Sequence, residues 1–348
     1  MSGYHLMIAW SGGYEALYQR SLSFLFGITL LFLVYPGTTP WRRRISYLLA
    51  IVAFALLAYT VDSSWDFVRR LKYIKPLPLI DVLAGTAIIV LTLEITRRTI
   101  NNALPIIALT FLVYTLFGPY FPWEFAHKGA SYVHMIELQY TTNEGLWSTP
   151  LNTFSVYIFL FILFGAFLER MGAAEIYVRL AFALTGRSRG GPAKAAIFAS
   201  GLTGSITGSA NANVVTTGSF TIPMMKRAGF KPEIAAGVET AASTGGQIMP
   251  PVMGAAAFLI VEFTGISYWE IVKVSILPAV LYFFSVYSIV HLEARKSGLT
   301  GMSKEEVPDV LPILREGWYY LLPPIIIMGF LMQGKSVPYS GLIGIASI

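Results

Sequence analysis

The sequence predicts an all-α polytopic membrane protein in which four plain spans precede a set of interrupted ones. Three observations carry that prediction. Of 348 residues, 55% are hydrophobic and only 13% are charged, against about 25% charged in a soluble domain. Mean hydropathy is +0.62. Apolar runs approaching the length a bilayer requires, about 20 residues per helix, recur along the chain. A small soluble enzyme and a nucleic-acid binder are thereby excluded. The net charge of +6, from 25 Lys and Arg against 19 Asp and Glu, becomes a topology signal, because cytoplasmic loops collect Lys and Arg. The chain has no cysteine, hence no thiolate ligand and no Cys nucleophile.

The first four runs are Leu22–Tyr35, Ile45–Val61, Leu79–Ile95 and Leu104–Phe117. With short basic loops between them they form a scaffold domain, 1–118. The polar and aromatic stretch 119–150 is read as an extracytoplasmic or interfacial linker. The third part, 151–348, holds Asn152–Leu168, the charge-free run Ala195–Met225, Ile234–Val261, Val274–Val290, Gly317–Met332 and a last run from Val337. Ala173–Leu184 is read as an interfacial helix, with Arg179, Arg187 and Arg189 turned to lipid head groups. Because the last run is cut at Ile348, the chain is expected to be the truncated first part of a longer one.

Ala195–Met225 decides the topology. As one helix of 31 residues it would reach about 46 Å at 1.5 Å per residue, overshooting a hydrocarbon core of about 30 Å. Its centre, Gly204 to Asn213, is rich in Gly, Ser and Asn, which favour turns and caps. The expectation is a re-entrant hairpin turning at Gly208–Asn213. With the N-terminus outside, a hairpin places 17 of the 25 Lys and Arg on the cytoplasmic side, whereas a crossing helix leaves 12 against 13. The positive-inside rule favours the hairpin. The next run carries Ser243-Thr-Gly-Gly-Gln-Ile-Met-Pro-Pro251, where two prolines remove N–H donors and the glycines weaken the helix. A broken helix is expected over about 234–261.

Irregular backbone at membrane depth persists where protein buries it or a wet cavity receives it. Broken helices there expose carbonyls to cations and helix N-termini to anions. The oxygen donors near the two breaks are Ser205, Thr207, Ser209, Asn211, Asn213, Ser243, Thr244 and Gln247. None is a carboxylate, which suits a monovalent cation better than Ca²⁺ or Mg²⁺. The bland alternative is that Gly204-x-x-x-Gly208 and its hydroxyl neighbours only let helices pack closely. Asp81, Glu94, Glu239 and Glu262 fall at span ends, where a solvated or snorkelling role is expected. Gly329 to Ser336 matches a P-loop pattern, but bulky apolar residues fill the loop and it ends a span. His127, His134 and Glu137 are interfacial residues rather than a metal site. No HExxH or GxSxG signature occurs.

The stretches Gly190–Ala196, Thr207–Arg227 and Glu239–Phe258 closely resemble the fused small and large membrane permease of tripartite ATP-independent periplasmic (TRAP) transporters. The resemblance is closest to the branch served by a TAXI-type binding protein. It is strong over roughly 150–295 and only positional across the first four spans. It implies that 151–348 is the first inverted repeat of an elevator-type carrier in the bacterial inner membrane. It implies Na⁺ as coupling ion (H⁺ being the alternative), with no cofactor otherwise. The partners it implies are a periplasmic substrate-binding protein, the lipid bilayer and a second repeat beyond residue 348. Its hairpin tip corresponds to Gly208–Asn213 and its broken-helix loop to Thr244–Pro251.

On this basis Ser209, Asn211, Asn213, Thr244 and Gly245 are the expected Na⁺ ligands. Ser205, Thr207, Gly208, Gln247 and Pro250 are the expected substrate contacts. The function expected is secondary active uptake of an organic anion, a carboxylate, with no enzymatic step. A channel-like or purely structural membrane subunit is the alternative reading.

Overall fold

A computed structural model describes residues 1–348 and contains helices but no strand. The chain divides into two compact units, one over 12–155 and one comprising 2–11 with 156–348.

The first helix, α1 (Ser2–Ser11), belongs to the second unit. The first unit holds α2 (Ala16–Val34), α3 (Pro40–Arg69), α4 (Leu79–Thr99), α5 (Ala103–Phe117), α6 (Tyr132–Thr141) and α7 (Thr149–Thr153). Thr39 caps α3 by accepting from the Arg42 N–H, and Pro40 opens its first turn, where a missing N–H costs nothing. This helix runs to Arg69, eight residues past the apolar run that announced it. Phe32, Leu57, Ile88, Tyr140 and Trp147 are fully buried together in the core. The 119–150 stretch therefore supplies core residues to this unit. The acidic residues at span ends are partnered: Asp81 accepts from Tyr59 at 2.6 Å, and Glu94 binds Arg98 at 2.6 Å. Glu137 pairs with Arg70 at 3.5 Å, while His127 bonds the Tyr114 carbonyl and His134 stacks on Tyr73. His134 and Glu137 both meet Tyr73, whose N–H donates to Glu137, whereas His127 lies with Tyr114, and the three form no metal cluster.

The second unit holds α8 (Phe159–Arg170), α9 (Ala173–Thr185), α10 (Gly191–Thr207), α11 (Ala210–Arg227), α12 (Pro232–Gly245), α13 (Ala255–Thr264), α14 (Tyr268–Lys296), α15 (Val310–Gly317), α16 (Leu322–Met332) and α17 (Val337–Ala346). Six helical segments are long and apolar enough to cross a bilayer: Ala16–Val34, Pro40–Arg69, Leu79–Thr99, Ala103–Tyr120, Thr149–Arg170 and Tyr268–Lys296. The chain is thus a multi-pass, all-helical membrane protein. The expected span Gly317–Met332 is divided: Trp318–Leu321 is a 3₁₀ turn, and α16 starts afresh with Pro323 in its first turn.

Helix α10 is the axis of this unit, packed by α9, α11, α12 and α14. It can be surrounded because its sequence is small: Gly191, Ala193, Ala195, Ala196, Ala199, Gly201 and Gly204 are all buried. Small residues bring backbones close where lipid supplies no hydrophobic drive for helix association. Helix α9 lies against it, with Val178 and Ala181 packed on Ala195 and Ala199. Its Arg179 is partly exposed and has a partner within the protein. The guanidinium makes a two-pronged contact with Glu316, at 3.0 and 3.1 Å, and Arg187 stands 3.7 Å from Asp309.

Candidate functional site

The charge-free run forms a helical hairpin, α10 and α11, whose arms are antiparallel. The Asn213 amide donates to the Ser200 carbonyl at 2.8 Å, and the Ser200 and Thr217 hydroxyls lie 3.0 Å apart. The turn is tighter than expected. Gly208 adopts the left-handed conformation at φ +62° and its N–H closes on the Gly204 carbonyl. Ser209 then caps α11 by accepting from the Ala212 N–H. The reversal is complete at Gly208–Ser209, so Asn211 and Asn213 stand in the first turn of α11 and not on a loop. Ser is a strong N-cap, and Gly tolerates the left-handed region without steric cost.

The second break is also present. Helix α12 stops at Gly245, Gly246–Ile248 makes a 3₁₀ turn, and α13 begins at Ala255. Hairpin tip and broken-helix loop touch directly. The Val252 N–H donates to the Ser205 carbonyl at 2.9 Å, and Gly254 N–H to the Gln247 carbonyl at 2.7 Å. Tyr268 holds the loop from behind, donating to the carbonyls of Pro251 and Val252. Its ring stacks on Phe258, which stacks in turn on Phe161 and Tyr157.

Between tip, loop and α8 lies a cavity of about 320 Å³. Its polar lining comes from Thr207, Gly208, Ser209, Asn211 and Gln247, and its apolar lining includes Phe161, Val252 and Phe258. Two helices begin at this cavity, α11 at Ser209–Asn211 and α13 at Gly254–Ala255. Their first N–H groups have no partner within their own helices, and the helix dipole makes such an end attractive to anions. The Thr207 hydroxyl oxygen is buried with no partner.

The structure thus brings five of the ten expected residues to one cavity: Thr207, Gly208, Ser209, Asn211 and Gln247. It does not bring the other five there. Asn213 is fully buried, its amide spent on Ser200 and its oxygen facing Thr217. The exposed Thr244 gives its hydroxyl proton to the Thr240 carbonyl, one turn back on its own helix. Gly245 lies beneath the ring of Tyr282, which a Cβ would meet at 2.4 Å. Ser205 donates to the Leu202 carbonyl, and both Ser205 and Pro250 line a different, apolar cavity with Phe283 and Tyr287.

Two acidic residues were placed wrongly from sequence: Asp81, expected to be solvated, is buried beside the Tyr59 hydroxyl, and Glu239 departs further. Glu239, expected to be solvated or snorkelling, is fully buried, and its carboxyl is surrounded by hydroxyls. The available sign was Ser243 four residues on, together with Thr217 and Thr221 four apart on the preceding helix. That spacing presents side chains on one helix face.

Comparison with known proteins gives a family match. Residues 87–347, three quarters of the chain, match the family model described as "Tripartite ATP-independent periplasmic transporter, DctM component". The C4-dicarboxylate TRAP transporter large permease protein DctM of Pseudomonas aeruginosa is 29% identical over 178 residues, covering 51% of this chain and 41% of that protein. The sialic acid TRAP transporter large permease protein SiaM of Vibrio cholerae is 26% identical over 178 residues, with the same two coverages, 51% and 41%. The sialic acid TRAP transporter permease protein SiaT of Haemophilus influenzae is 23% identical over 290 residues, covering 83% of this chain and 43% of that protein. The aligned part of this chain spans about two fifths of the length of each relative. On the family match over 87–347, this chain belongs to the DctM component family of tripartite ATP-independent periplasmic transporters.

Proposed function

We propose that the chain works as a membrane permease of a TRAP uptake system in the bacterial inner membrane, moving an organic anion by secondary active transport. The observation that carries this reading is the convergence of two helix N-termini, α11 and α13, on one cavity of about 320 Å³. A carboxylate of the substrate meets the N–H groups of Ala210, Asn211 and Ala255 there, with Thr207 adding a hydroxyl. The relatives' names support this class: one handles C4-dicarboxylates and two handle sialic acid, all of which carry carboxylates.

Na⁺ is the proposed coupling ion, co-transported as cargo, with Ser209, Asn211 and Gln247 supplying neutral oxygens at the cavity. A periplasmic binding protein of the TAXI type is the proposed delivery partner. The first unit takes the part of a small membrane subunit fused to a large one. The relative named as a permease aligns over 83% of this chain, those named as large permeases over 51%, which favours fusion.

Uptake of a labelled dicarboxylate into cells or proteoliposomes carrying the permease and its binding protein tests the reading. Uptake should saturate and should collapse when the Na⁺ gradient is removed. Asn211→Ala should lower the apparent Na⁺ affinity while leaving membrane insertion intact. Non-saturable flux independent of any gradient would mean a channel.

A further inference from the structure

Glu239 sits about 10 Å along α12 from Pro232, at 1.5 Å per residue, and is fully buried. Hydroxyls from three helices enclose its carboxyl. Ser200 of α10 reaches Oε1 at 2.8 Å, Thr217 of α11 at 2.5 Å and Ser243 of α12 at 3.1 Å. Thr221 of α11 reaches Oε2 at 2.5 Å. No basic group compensates it. On the elements packed around it, Lys194 of α10 is engaged with His291 at 3.2 Å and with the Tyr287 ring. Lys226 and Arg227 close the far end of α11, and Glu233 lies in the first turn of α12. The remaining charges of α14, Glu270, Lys273, Glu293, Arg295 and Lys296, sit near its two ends. Carboxyl groups within membrane-embedded helices are costly and are retained for function.

The cage is built to tolerate either form of the acid. A hydroxyl donates one proton and accepts others, whereas a carboxyl donates only when protonated. With Glu239 ionised, all four hydroxyls donate to it. With Glu239 protonated, its O–H donates to Thr221 Oγ1, and the Thr221 proton turns to the Thr217 carbonyl, 3.0 Å away. Thr217 has the Asn213 carbonyl at 2.8 Å as its own second acceptor. Hydroxyl rotation alone therefore satisfies both states. The oxygens touch one another directly, so a metal ion would have to push them apart while a proton does not.

We propose that Glu239 is an intramembrane proton-binding site, at which the carboxylate takes up a proton from solvent and returns it, buffered by the hydroxyls of Thr217 and Thr221. The proposal is independent of the carrier reading, because its readout needs no transport. Infrared difference spectra are recorded on the chain in lipid bilayers between a high and a low pH at which it stays folded. The wild type should gain a protonated-carboxyl carbonyl band that E239Q lacks, and T221V should shift that band. Gln keeps the oxygen acceptor and offers N–H donors to Thr221, so E239Q should melt near the wild type. Identical difference spectra for wild type and E239Q would overturn the proposal. If E239Q does not fold, T221V decides it, and a band left unshifted by T221V overturns it as well.

Discussion

Gly204 and Gly246 meet backbone to backbone: a Cβ built on either would lie 2.6 Å from the Cα of the other. One residue belongs to the hairpin and the other to the break in α12, so this contact sets how closely the two irregular segments approach. No flexible side chain is available to give way.

Gly204→Ala and Gly246→Ala should each destabilise the second unit by about 1–3 kcal/mol, the usual cost of overpacking. Gly237→Ala is the control, since that glycine is exposed in mid-helix with nothing within 4 Å of its Cβ position. It should be neutral or stabilise by up to about 1 kcal/mol through helix propensity. Thermal melts of the three variants in one detergent would show the ordering, and equal melting points would contradict it.

Removing the cap at the hairpin tip tests whether the first turn of α11 shapes the cavity. Ser209→Ala should cost about 1 kcal/mol and weaken substrate binding, while Ser209→Asn should retain most of the stability. Melting temperature together with the apparent substrate affinity reads both effects. A cavity that does not depend on the cap would leave affinity unchanged in both variants.

Tyr268→Phe deletes the one hydroxyl that anchors the broken-helix loop at Pro251 and Val252. The ring and its stacking on Phe258 remain, so the loss isolates the hydrogen bond. Leaving those carbonyls unpaired should cost about 1–3 kcal/mol. Protease cutting or hydrogen exchange confined to 246–254 is the expected signature, and global loosening without it would speak against an anchoring role.

The Arg179–Glu316 pair is 39% and 56% exposed at its two side chains, and exposed pairs contribute at most about 1 kcal/mol. A double-mutant cycle with Arg179→Gln and Glu316→Gln should return a coupling in that range that shrinks with added salt. If Arg179 instead served lipid head groups, the coupling would vanish and stability would follow the anionic lipid content.

The hairpin and the broken helix were legible because their signals are local. Thirty-one uncharged residues with Gly, Ser and Asn at the centre cannot form one ordinary span, and Pro250 with Pro251 cannot sit inside a helix. Side-chain direction was not legible. Asn211 and Asn213 are the same residue type two positions apart, which on a helix turns them about 200° from one another. One faces the cavity and the other the hairpin interior, and only knowing that α11 begins at Ala210 fixes which. Glu239 was misjudged because distance along a span was taken for depth from water, whereas α10 and α11 screen it from the side. The Arg179–Glu316 contact joins residues 137 positions apart, and no periodicity reaches that far.

The bond from the Val252 N–H to the Ser205 carbonyl is made by main chain alone. Exchanging either side chain leaves it in place, except for proline at 252, which would delete the donor. Side chains around the cavity can therefore be exchanged while the joint that frames it stays in place. The lining of the cavity and the holding of its frame are separable in this architecture, because they are encoded in different atoms of the same residues.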